Sequence, residues 1–133
     1  MTVFSDAEQF YACSQAVFER MAQQDPGAGE AISRTGMILR LSVTGPAGQI
    51  TLDGRHNPIQ TLFGETSLRP NLEVTMSADT LHRILLGGLT AVSALSGGLL
   101  KVHGPFWRVL ALTELFHHMQ RVYPDVLREQ GLA

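Results

Sequence analysis

Cysteine is nearly absent: Cys13 stands alone among 133 residues. One thiol makes neither an internal disulfide framework nor a thiolate metal cluster, and its place on an apolar helical stripe reads as packing. Lysine is equally scarce. Nine of the ten basic residues are arginine, Lys101 is the exception, and they are spread singly from Arg20 to Arg128. A phosphate backbone has no basic stripe to follow, so no nucleic-acid partner is expected. The opening MTVFSDAEQF has no basic leader and no apolar h-region, and the closing Gly131-Leu132-Ala133 is not a Ser-Lys-Leu type of peroxisomal address. The expected location is cytoplasmic. Internal repeats, low-complexity tracts and linker-like runs are also missing, so residues 1–133 are expected to form a single domain.

What is present is apolar. Hydrophobic residues make up 44% of the chain and charged residues 17%, with a formal net charge of -2, which is enough for an independent core. Ser5 and Glu8 have the spacing of a capping box, and Phe10, Cys13, Val17 and Met21 recur at helical intervals with Tyr11 and Phe18 widening the stripe. That helix is predicted to stop near Gln24, because Asp25-Pro26-Gly27 cannot continue it. From Met37 the period becomes two. Leu39, Leu41 and Val43 predict a strand, Gly45-Pro46-Ala47-Gly48 a turn, and Ile50 and Leu52 a returning strand whose other side, with Gln49, Thr51 and Asp53, is wet. A weaker strand is expected between Ile59 and Gly64.

The most informative stretch is residues 71–104, NLEVTMSADTLHRILLGGLTAVSALSGGLLKVHG. Leu72, Val74 and Met76 alternate as in a half-buried strand; Ser77 then caps a helix carrying Leu81, Ile84 and Leu85. Gly87-Gly88 ends that helix, a second short helix follows, and Gly97-Gly98 leads into a strand with Leu100 and Val102. The seventeen residues 84–100 carry no charge, close to the short limit for a membrane span. Four of them are glycine, each costing a continuous helix about 1 kcal/mol relative to alanine, so two short helices are expected instead. After Gly104, Pro105 suits a first helical turn, and Phe106 to Met119 present a wide apolar face, with a kink or restart expected at Tyr123-Pro124.

This series resembles the sterol carrier protein 2 domain family, with Gly98-Leu99-Leu100-Lys101-Val102-His103-Gly104 similar to its G-x-L-K-x-x-G strand. Element order agrees over residues 39–116. The resemblance implies an α/β (α+β) fold, a five-stranded mostly antiparallel sheet with helices packed on one face. It also implies an apolar tunnel between the layers for a fatty acid, acyl-CoA, sterol or isoprenoid lipid, no catalysis, and no cofactor. On that basis Leu39, Leu41 and Met76 are expected to floor the cavity, Leu81, Ile84, Leu85, Val92 and Leu95 to wall it, and Phe106, Trp107, Leu110 and Leu115 to close it. The closing helix departs from the family's G-D-x-G-L-A-x-K-L pattern at Pro105, Trp107, Arg108 and Ala111. A Trp where Gly is usual is expected to narrow the cavity and favour straight acyl chains over sterols. Beyond the lipid, the partners expected are a transient membrane surface and a second copy of the chain.

Other chemistry has weaker support. Ala94-Leu95-Ser96-Gly97-Gly98 is close to a hydrolase nucleophile elbow, but an elbow runs from strand to helix and this segment runs from helix to strand. Glu114-x-x-His117 lacks the second motif and further glutamates of a di-iron site, so no metal is expected, and His56, His82 and His103 read as surface or turn residues. Two alternatives to a carrier stay open: an interaction or dimerisation module using the apolar helix pair, and an esterase using Ser96.

Overall fold

The structure is a computed structural model that describes residues 3–132. Met1 and Thr2 of the opening segment, and Ala133 of the closing tripeptide, lie outside the described residues. The first helix, α1, spans Ala7–Gln24 and buries Phe10, Cys13, Val17 and Met21. Its cap is Asp6, whose Oδ1 accepts from the Gln9 N–H at 2.9 Å, while Gln9 Oε1 accepts from the Ser5 N–H at 2.7 Å. The box expected on Ser5 and Glu8 is therefore shifted by one residue. A carboxylate at the cap answers the positive end of the helix better than a hydroxyl does. A second helix, α2 (Glu30–Thr35), was not anticipated; it buries only Ala31 and Ile32 and ends at Gly36, whose φ of +63° suits glycine.

Alternation then builds the sheet. Strands β1 (Ile38–Thr44) and β2 (Gly48–Asp53) form the expected hairpin, pairing Leu39 with Leu52 and Leu41 with Ile50. Strand β3 (Gln60–Phe63) adds antiparallel to β2. Strand β4 (Leu72–Ser77) returns to lie parallel to β1, with Leu41 beside Val74, and β5 (Lys101–His103) pairs antiparallel with β4. The order is β3-β2-β1-β4-β5, so one pairing of four is parallel. One face presents Leu39, Leu41, Val43, Ile50, Leu52, Leu72, Val74 and Met76, all buried. The helices pack on this face, as the resemblance implies.

The opposite face of β2 is not wet. Thr51 and Asp53 are buried because arginines bring partners to them. Arg40 Nε donates to Thr51 Oγ1 at 3.1 Å, and its Nη2 donates to the Leu68 carbonyl at 2.7 Å, drawing the chain before β4 across the sheet. Arg55 grips both oxygens of Asp53, at 2.9 and 2.8 Å, and holds that carboxyl down at about 2.

Helix α5 (Val109–Glu129) is the spine of the helical layer, with α1, α2 and α3 (Ala78–Leu85) packed along it. It does not restart at Pro124. The proline removes one i to i−4 hydrogen bond, but Met119, Val122, Tyr123, Val126 and Leu127 are buried on both sides of it and hold the helix through the gap.

Candidate functional site

The segment between β4 and β5 folds as its glycines and hydroxyls dictate. Ser77 Oγ accepts from the Thr80 N–H at 3.0 Å and starts α3, which turns Leu81, Ile84 and Leu85 onto the sheet and α5. Gly87, at φ +82°, reverses the chain in a conformation other residues rarely adopt. Thr90 Oγ1 then accepts from the Ser93 N–H at 3.0 Å and starts α4 (Ala91–Ser96). Only Ala91 and Ala94 of α4 are buried, so this small helix leans on the core without filling space beneath it. Among the described residues, no helix is long and apolar enough to cross a membrane.

A groove of about 400 Å³ opens between this α3–α4 turn and α5. Its apolar wall is Ile84, Leu89, Ala91, Val92 and Phe116; Thr90, Thr113, His117 and Gln120 supply polar groups. Gln120 Nε2 donates to the Ile84 carbonyl at 2.8 Å, which caps the end of α3 and fixes the depth of the groove. Volume and lining match a small-molecule site, typically about 300–1,000 Å³ and mostly apolar with a few polar groups.

The space between sheet and helices is different. Leu39, Leu41, Met76, Leu81, Ile84, Leu85 and Leu115 are all buried, as a floor and wall require, but what they face is side chain. The cavity there measures about 10 Å³, roughly one water-sized probe, between Phe10, Ile50, Leu81, Leu85, Met119 and Tyr123. The Phe10 ring lies flat on β2: a Cβ on Gly48 would sit 2.8 Å from its Cδ2 and Cε2. A second hollow, of about 120 Å³, lies where α1, the chain before α2 and the β2–β3 connection meet, and Leu115 borders it beside Phe18, Met21 and Ile59.

The expected lid does not close. Phe106, Trp107 and Leu110 are 64%, 61% and 66% exposed, and Val92 is 56% exposed on the rim of the groove. Leu95 is half-buried against the core. Trp107 therefore narrows no interior cavity, and the case it made against sterols falls away. Phe106–Arg108 forms a single 3-10 turn ahead of α5, which rotates these side chains off the apolar face that Val109 and Leu112 follow. An apolar residue reads the same in sequence whether it faces core or water, so nothing in the periodicity flagged them.

Several polar residues found partners that the sequence did not disclose. His82, expected at the surface, is half-buried; its Nδ1 lies 2.6 Å from the Tyr123 hydroxyl. Its ring also stands edge-on to Phe4. Burial pushes the His82 imidazole down and the Tyr123 phenol up from their ordinary ranges. Burial likewise raises the Cys13 thiol to about 11, which suits packing and not nucleophilic chemistry. His56 lies 3.6 Å from Asp53, and Glu114 lies 3.5 Å from Arg34. Ser96 is exposed at the end of α4, ahead of the Gly-Gly turn, in the helix-to-strand order. Among the described residues no group of three or more His, Cys, Asp or Glu is placed to hold a metal ion.

Residues 18–117 match the model of the SCP-2 sterol transfer family. The chain has no significant match among curated proteins. Among solved structures it is similar to the sterol carrier protein domain 2 of Helicoverpa armigera, with 17% identity, a TM-score of 0.64, and 85% of this chain and 89% of that one covered. Sterol carrier protein 2 from Yarrowia lipolytica gives 18% identity and a TM-score of 0.62, covering 84% and 89%. A structure titled UbiJ-SCP2, a ubiquinone synthesis protein, gives 26% identity and a TM-score of 0.52, covering 72% and 83%.

Proposed function

Since the chain belongs to the SCP-2 sterol transfer family, we propose that it binds and carries a hydrophobic lipid without altering it, and that the groove between α4 and α5 receives that lipid. The observation that carries this reading is the groove itself: about 400 Å³, open on one side, with the buried Ile84 and Phe116 at its base. The interior volume of about 10 Å³ supports the groove over the layer between sheet and helices as the place of binding. The polar edge of Thr113, His117 and Gln120 suits a ligand with one hydrogen-bonding end and an aliphatic remainder. Fatty acids and isoprenoid lipids both meet that description, and the likeness to a ubiquinone synthesis protein supports keeping the isoprenoids.

The energetics suit a carrier. A chain of about twelve methylenes, fully buried at about 0.8 kcal/mol each, would gain roughly 10 kcal/mol. An open groove buries only part of that, and association costs on the order of 4–15 kcal/mol. The result is modest affinity and ready release. The test is titration with a fluorescent fatty acid, together with native mass spectrometry of the protein purified from cells. Val92→Glu, which sets a like charge beside a fatty-acid carboxylate and removes part of the apolar wall, is expected to weaken binding at least about tenfold. A wild-type chain that binds no fluorescent fatty acid and carries no co-purified lipid would overturn the reading.

A further inference from the structure

Exposed apolar surface and charge are distributed together in this molecule. The large hydrophobic residues exposed among the described residues are Leu86, Val92, Leu99, Phe106, Trp107 and Leu110, and every one lies within residues 80–113. That stretch holds Arg83, Lys101 and Arg108 and no aspartate or glutamate. Outside it the chain has seven basic residues against twelve acidic ones, a net charge of -5. The greasy surface is thus confined to the longest part of the sequence that is free of carboxylates.

Its most prominent point is the 3-10 turn before α5. Phe106 and Trp107 stack edge-to-face with centroids 5.7 Å apart, and Leu110 stands one turn further on. Arg108 is exposed between them and, among the described residues, has no carboxylate partner. Glu114, the acid that lines the adjoining cleft, is already engaged, 3.5 Å from Arg34, and Glu30 lies 3.9 Å from the same arginine.

We propose that this face docks on the surface of an anionic phospholipid bilayer, with Phe106, Trp107 and Leu110 entering the headgroup layer and Arg108 meeting lipid phosphates. Aromatic and aliphatic side chains beside a cation are the chemistry that an interfacial site requires. A second copy of the chain fits less well, because a two-fold contact sets the patch against itself and brings like charges together. The inference rests on the carrier reading in one respect. Leu110 precedes Thr113 by three residues on α5 and shares its side of the helix, so docking brings the open side of the groove to the bilayer.

The experiment uses Trp107, the only tryptophan, as its reporter. The full chain is mixed with vesicles of phosphatidylcholine alone and of phosphatidylcholine with phosphatidylglycerol, and read by fluorescence and co-sedimentation. The expected result is a shift of emission to shorter wavelength with the anionic vesicles, weaker without phosphatidylglycerol and weaker in high salt. Arg108→Glu keeps the reporter and puts an acid where a helix start favours one, so the fold is retained. It is expected to lower partitioning onto the anionic vesicles about tenfold or more. No shift and no co-sedimentation with a folded wild-type chain would overturn the proposal, and so would an Arg108→Glu variant that partitions equally well. A shift that follows protein concentration alone, with dimers in light scattering, would assign the patch to a second copy and also overturn it. Fatty-acid titration without vesicles is read separately, so failure of the carrier reading and failure of the docking surface are distinguishable.

Discussion

Replacing Phe10 by alanine tests whether the interior is filled, and with it where a lipid binds. The Phe10 side chain is 1% exposed, stacks edge-on to Phe4 at 5.5 Å and covers Gly48. Deleting a buried phenyl ring costs about 3–5 kcal/mol, transfer and cavity together. With an unfolding entropy of about 2.1 cal/mol/K per residue over this chain, the melting temperature should fall by about 11–18 °C. Gly48→Ala provides the second arm. In the wild type the new methyl would crowd the ring at 2.8 Å and should cost about 1–3 kcal/mol. In the Phe10→Ala background the ring is gone, so the same methyl should cost far less, and a double-mutant cycle in urea should return a coupling of about 1–3 kcal/mol. Fluorescent fatty-acid affinity should stay within about twofold of wild type, because the cavity beside Phe10 and the groove share no lining residue. A loss under about 1 kcal/mol for Phe10→Ala would refute the packed interior. A large gain in fatty-acid affinity would move the site from the groove to the space between the layers.

Three further outcomes follow from other parts of the molecule. The Asp53 carboxyl is held at about 2 by Arg55, below the roughly 3.9 of an unfolded chain, so its contribution is complete above about pH 4 and is lost as pH falls from there toward 2. Urea midpoints should show that loss in wild type and a shallower one in Asp53→Asn; parallel curves would contradict it. Burial disfavours the charged His82, so the unfolded chain takes up a proton first, and stability should drop as pH falls through about 6.5. His82→Gln should reduce that drop, measured the same way. Asp6→Ala should cost about 0.5–2 kcal/mol and Ser5→Ala clearly less, and the reverse order would return the cap to Ser5.

Legibility in the sequence followed the range of the interaction. Local signals were readable: the alternation of Leu72, Val74 and Met76, the Ser77 cap, and the glycine pairs around α4 all found their expected structure. Helix α2 escaped because six residues with two buried side chains are too short to show a period. Thr51 and Asp53 looked like a solvated face because the arginines that bury them act across strands or round a turn, and alternation does not record side-chain partners. Pro124 looked like a helix breaker because its cost is local, whereas the packing of Tyr123 and Val126 that offsets it is tertiary. At the groove, Ile84 and Val92, which the resemblance had put on a cavity wall, are among the lining residues, whereas Thr113, His117 and Gln120 were not expected there, since a polar residue beside a groove has the same spacing as one facing water.

The parallel pairing of β1 with β4 has a consequence for biosynthesis. Leu39 lies beside Leu72, so one edge of β1 has no hydrogen-bonding neighbour until the ribosome has released the chain beyond Ser77. For that interval the nascent hairpin shows a bare, leucine-rich margin, which is the kind of template that recruits other chains. Slowing translation while the hairpin is outside the ribosome and β4 is still inside its exit tunnel should lengthen the exposure and lower the soluble yield, whereas the same delay once β4 has emerged should not.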